Sequence, residues 1–120
     1  KFYLISLSNN LENYYVKKRL FEIKYNNLKF EETDLVNKIF LNYQDLIFIF
    51  SNNKIFYKKW KKILISLKKD DWAMFVDAKI DLLNKNNENA LDKIKRILNI
   101  SNDKILTKQC KIIINNIEDE

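Results

Sequence analysis

Asp77 and Asp81 stand four residues apart, a spacing that places two carboxylates on one helical face where they could hold a cation. No two further oxygen ligands lie near them in sequence, so a solvated acidic face is the simpler expectation. The run KKWKK sets Lys58, Lys59, Lys61 and Lys62 around Trp60, and Lys68 and Lys69 follow closely. A basic patch with an aromatic inside it suits nucleic acid or an anionic membrane surface. Trp60, however, falls on an apolar stripe, which predicts burial and leaves only solvated lysines outside. The two arginines, Arg19 and Arg96, are few for nucleic-acid recognition, because arginine supplies the bidentate phosphate and base contacts. Membrane contact is left open.

Catalytic chemistry has little to draw on. Without histidine there is no ordinary general base near neutral pH and no His-dependent triad or metal site. Without glycine there is no phosphate loop and no dinucleotide fingerprint. The one cysteine, Cys110, sits in an apolar-rich segment and reads as a buried structural thiol. No enzyme activity, cofactor or metal is expected.

A chain of 120 residues is expected to form a single domain large enough for a real core. It opens at Lys1 rather than Met, as a processed chain or an excised domain would. The formal net charge of +6 has a compositional source, since the abundant Lys, Ile, Asn, Phe and Tyr share AT-rich codons. The absence of both glycine and proline weighs more. Barrels and sandwiches need tight turns with positive φ, for which glycine is the default, so helices joined by Asn-, Asp- and Ser-rich turns are favoured. Asparagine is the expected left-handed residue at the helix ends.

Apolar residues at three- and four-residue spacing predict the helices. Leu11, Tyr14, Tyr15, Phe21, Tyr25 and Leu28 mark the first, with Asn9 and Glu12 spaced as a capping box. A second starts at Thr33-Asp34 and runs through Leu35, Ile39, Tyr43 and Leu46 to Phe50. The third spans 54 to 67 with Phe56, Trp60, Ile63, Leu64 and Leu67. Asp70 is placed to cap a fourth, whose expected core face is Ala73, Val76, Ile80 and Leu83. The stretch NNENALDKIKRILNISND supplies the fifth, and Ile105, Ile112, Ile113 and Ile117 a last one near 104 to 117. The predicted class is all-α, with five or six antiparallel helices. The alternative is α+β with hairpins in 46–57 and 62–83, because both segments are rich in strand-favouring residues or alternate at period two.

A shift of 34 residues aligns Ala90, Leu91, Ile94, Ile97 and Leu98 with Phe56, Tyr57, Trp60, Ile63 and Leu64. Asn86-Asn87 then falls on Asn52-Asn53, and Ala73, Phe75, Ile80 and Leu83 fall on Ile39, Leu41, Leu46 and Ile49. Helix, turn and helix agree at one period, and in this the chain resembles the tetratricopeptide family, whose repeat has that length. The resemblance implies antiparallel hairpins stacked as a short right-handed superhelix. It covers residues 37–70 and 71–104, with 1–36 as N-terminal capping helices and 105–118 as a closing helix. The family's small residues correspond to Ala78 and Ala90 in the later unit but to Gln44 and Phe56 in the earlier one. Its turn proline is replaced by Lys68 and Asn102.

The resemblance also implies a groove along the first helix of each unit, where peptides or partner helices dock. Its positions are Lys38, Leu41, Asp45 and Phe48, then Trp72, Phe75, Lys79 and Leu82, with Gln109 and Ile113 from the closing helix. Phe75, Lys79 and Leu82 are expected to be exposed along it. The function this implies is protein–protein interaction or scaffolding, with an acidic protein or peptide as partner. The alternatives are the basic domain described above and a structural spacer without a ligand.

Overall fold

The computed structural model describes the backbone of residues 2–49 and 53–118, with side-chain surroundings from residue 12 onward. The described residues are helical and turn, with no strand, so the α+β alternative is overturned. Seven helices are present among them: α1 (Phe2–Asn26), α2 (Thr33–Tyr43), α3 (Leu46–Ile49), α4 (Lys54–Ser66), α5 (Asp70–Leu83), α6 (Asn87–Ile100) and α7 (Lys104–Glu118). They fall into two compact units, residues 1–49 and 50–120, with the division inside the 37–70 segment. None of these helices is long and apolar enough to cross a membrane.

In the first unit α1 packs on α2. The helix begins well before Asn9, which therefore lies inside α1 and is no cap. Among the members of the predicted stripe whose side chains are described, Phe21 is fully buried, 5.9 Å from the Tyr43 ring between centroids, whereas Tyr15 is exposed; Leu11 lies outside them. Val36, Ile39, Phe40, Tyr43, Leu46 and Ile47 complete the buried set. The helix predicted to run on to Phe50, a residue outside the described ones, instead breaks at Gln44 and Asp45. There the backbone tightens, with Ile47 N–H donating to Gln44 O and Phe48 N–H to Asp45 O, and Lys17 of α1 bonds both carboxylate oxygens of Asp45 at 3.0 and 2.9 Å.

In the second unit α5 packs against α4 and α6, and α6 against α7. Asn53 caps α4 by accepting the Phe56 N–H at 3.0 Å, as its residue type predicts. Phe56, Tyr57, Trp60, Ile63 and Leu64 form the buried stripe of α4, and Ala90, Ile94 and Ile97 that of α6. Ala78 and Ala90 are both fully buried, small side chains that let packed helices approach. On α7 the buried residues are Leu106, Cys110 and Ile113, while Ile105 and Ile112 face solvent. Asp70 is the first residue of α5 rather than its cap, and Lys69 at the cap position makes no side-chain bond to the helix.

The turns after α4 and α5 are built alike. Lys68 and Lys69 donate to Ile65 O and Leu64 O, and Lys85 and Asn86 donate to Leu82 O and Asp81 O. These are Schellman closures, which require a left-handed residue after the cap. That residue is Lys68 (φ 57°) in one and Lys85 (φ 61°) in the other, in place of the expected asparagines.

Candidate functional site

The predicted groove face of α5 is turned from its expected setting. Trp72 and Phe75 are buried at 3% and 0% exposure, together with Val76 and Ala78, while Ala73, Ile80 and Leu83 are half-buried. The helix has rotated by roughly one residue position, about 100°. Two aromatic rings bury far more apolar surface than Ala73, so the larger payload sets the phase. Phe75 is thus a core residue and not an exposed anchor.

Trp72 is also held at its polar edge. Its indole N–H donates to Asp103 Oδ2 at 3.0 Å, and Asp103 Oδ1 accepts the Ile105 and Leu106 N–H groups at the start of α7. Asp103 N–H donates to Ser101 Oγ, whose hydroxyl donates to Asp71 Oδ2 at 2.7 Å. This chain of bonds fastens the α6–α7 turn to the first turn of α5. Cys110 lies buried, and burial together with the Asp71 charge pushes its thiol up to about 12, which leaves it inert.

The burial of Phe75 places Lys79, one turn further on, at the edge of the core. Its Nζ stands 5.8 Å from the Phe75 ring centroid, a cation–π arrangement. Burial holds the ammonium below the ordinary lysine value, and no hydrogen bond or carboxylate partner joins it among the described residues. Lys79 and Leu82 of α5, Asn87 at the start of α6, and Ile113, Asn116 and Ile117 of α7 line a cavity of about 290 Å³. Three residues assigned to the groove, Lys79, Leu82 and Ile113, therefore do meet, with an aliphatic wall, two amides and a cation. Gln109 is half-buried on the same helix as Ile113 and does not line this cavity. Asn87 and Asn116 escaped the sequence reading because an amide in a turn or on a helix face carries no periodic signal.

In the first unit Lys38 and Leu41 are exposed and Phe48 is half-buried. Asp45 is bound to Lys17 and so is no free groove acid. The basic patch has no aromatic at its surface, because Trp60 is fully buried. Lys58, Lys62 and Lys68 are exposed, Lys59, Lys61 and Lys69 half-buried. Lys61 donates to Asp77 at 2.9 Å, and Lys93 bridges Asp77 and Asp81 at 3.1 and 2.6 Å. The two carboxylates that could have held a cation are thus occupied by lysines that cross-link α4, α5 and α6. Burial alone would raise the Asp77 carboxyl, but the hydrogen bonds from Lys61 and Lys93 hold it below 3.8. No cluster of three metal-ligating side chains occurs among the described residues. No family model, curated protein or solved structure matches the chain.

Proposed function

We propose that this chain is a protein-interaction module, without catalysis of its own, that holds an acidic peptide or partner segment at the Lys79 cavity. The observation that carries this reading is a half-buried ammonium without a carboxylate partner among the described residues, set among Leu82, Ile113 and Ile117. Such a charge is costly while unpaired and gains most from an incoming carboxylate, and the aliphatic wall suits the apolar part of the same ligand. The helical-repeat reading supports the placement. On that reading α5 and α7, whose starts at Asp70 and Lys104 are 34 residues apart, are the first helices of successive units.

Binding of the native domain to an array of short peptides, half rich in Glu and Leu and half in Lys and Leu, tests the proposal. The acidic set should bind selectively, and Lys79→Met should weaken it by about tenfold. Lys79→Met should melt no lower than the native domain, because it removes a desolvated charge. Phe75→Ala, in contrast, should cost about 3–5 kcal/mol. Acidic peptides that bind both forms equally would refute the site. Binding of arbitrary DNA that falls steeply with salt would favour the basic-domain alternative instead.

A further inference from the structure

The first unit carries apolar surface that its own core does not use. Phe21 faces inward from α1, yet Val16, Leu20 and Ile23, at four- and three-residue spacing, are 60%, 47% and 50% exposed on another face of the same helix. Leu35 of α2, 41% exposed, shares a hollow with Ile23. Between the helices is a hollow of about 300 Å³, with Ile23, Leu35, Ile39 and Tyr43 among its walls. An α-helix with apolar residues on two faces buries one against its own unit and presents the other.

Cations border this strip. Arg19 and Lys24 fall on opposite sides of the Val16–Leu20–Ile23 line by helical phase, and Lys24 and Lys38 line the hollow, which no carboxylate lines. Glu12 stands one turn before Val16, and Glu31, Glu32 and Asp34 line a separate hollow beyond Leu35. None of the three cations has a carboxylate partner among the described residues, and Lys24 lies over the Tyr43 ring, 5.3 Å from its centroid. Lys17 and Lys18, by comparison, are paired with Asp45 and Glu22.

We propose that the α1–α2 face is a docking groove for an amphipathic helix whose apolar stripe is flanked by acidic residues. A row of anchors at three- and four-residue spacing beside a hollow is the geometry that receives such a helix. The unpaired cations at the border set the charge of what docks. A second copy seated by the same hollow would set Lys24 and Lys38 against their own counterparts, and a flat lipid surface would leave the hollow unfilled. The inference is independent of the Lys79 cavity, which lies in the other unit.

The probe is a synthetic helix with leucines at alternating three- and four-residue spacing and glutamates along both flanks, compared by fluorescence anisotropy with its lysine-flanked counterpart. The glutamate form should bind the native chain with a Kd of about 10⁻⁵–10⁻⁶ M, and the lysine form at least about tenfold more weakly. Ile23→Gln should lower affinity about tenfold with an unchanged melt, because the side chain is exposed. Lys24→Glu should narrow the preference between the two helices, and Lys79→Met should leave it untouched. Equal binding of both helices, or of neither, would overturn the proposal. So would native self-association abolished by Ile23→Gln, which would assign the strip to a second copy. Sedimentation of the chain with phosphatidylserine vesicles, lost in Ile23→Gln, would assign it to a membrane surface.

Discussion

Lys68 and Lys85 show how a chain without glycine ends its helices. Each has a φ near 60°, where a Cβ crowds the following carbonyl at a cost of about 1–2 kcal/mol. The Schellman bonds from the next residues offset it, and the flexible side chain lies at the surface. The left-handed setting at Lys68 also excludes proline there, since proline fixes φ near −65° and has no N–H for Ile65 O. Lys68→Gly and Lys85→Gly should therefore each stabilise the fold by about 0.5–1 kcal/mol in urea titrations. A loss of stability in both would mean that the lysine side chains contribute more than the backbone strain removes.

Among the elements, α5 and α7 depend on one another through Asp103. One carboxylate oxygen caps α7 and the other takes the Trp72 indole N–H, so a single side chain terminates one helix and orients another. Asp103→Ala should cost about 1–3 kcal/mol, from the lost cap and an unpaired indole donor. Asp103→Asn should recover part of this, because the amide oxygen can still accept one of the bonds. Equilibrium unfolding followed by tryptophan fluorescence checks both. A neutral Asp103→Ala would show that water replaces the carboxylate without loss. The same junction favours the rotation of α5, since it gives the indole N–H of the buried Trp72 an acceptor at 3.0 Å.

For the whole chain, an excess of +6 makes pH a strong variable, and several groups set its limits. The Asp77 carboxyl is held below 3.8, so its contribution is present above that value and lost as pH falls through the lower folded one. The Lys93 ammonium is raised above 10.5, first by its bond to Asp81, so its contribution is present below 10.5 and lost as pH rises further. Burial raises the Cys110 thiol from 9.0 to about 12 and holds the Tyr57 hydroxyl above its ordinary value. Both ionise more readily in the unfolded chain, so each erodes stability as pH climbs past its ordinary value. Lys79 acts in the opposite sense, because its folded value lies below 10.5. Thermal melts should therefore plateau between about pH 4 and 9 and decline first on the alkaline side through Cys110. Cys110→Ala should flatten the slope between pH 9 and 12, and an unchanged slope would show that the thiol is not the group responsible.

Composition and periodicity alone determined the helical class, the starts of α2 and α4 to within a residue, and the buried stripe of α4 except Leu67, which is half-buried. These are local matters, decided by spacing at 3.6 residues per turn and by which residue types tolerate a turn. The buried place of Trp60 belongs with them, because it sits in the middle of a stripe without rivals. Tertiary packing decided what the one-dimensional pattern left balanced. On α5 two apolar faces competed, Ala73–Val76–Ile80–Leu83 against Trp72–Phe75–Val76, and the greater aromatic area together with the Asp103 acceptor settled the phase. That choice carried Phe75 into the core and brought Lys79 to the cavity edge. On α1 a similar competition buried Phe21 and left Val16, Leu20 and Ile23 bare. Pairing of charges was equally out of reach: Asp77, Asp81 and Asp45 differ little from Lys24 and Lys38 in their sequence surroundings, yet the first three are bonded and the last two have no carboxylate partner among the described residues. A side chain's partner is set by which helices meet, and that is known only once the chain has folded.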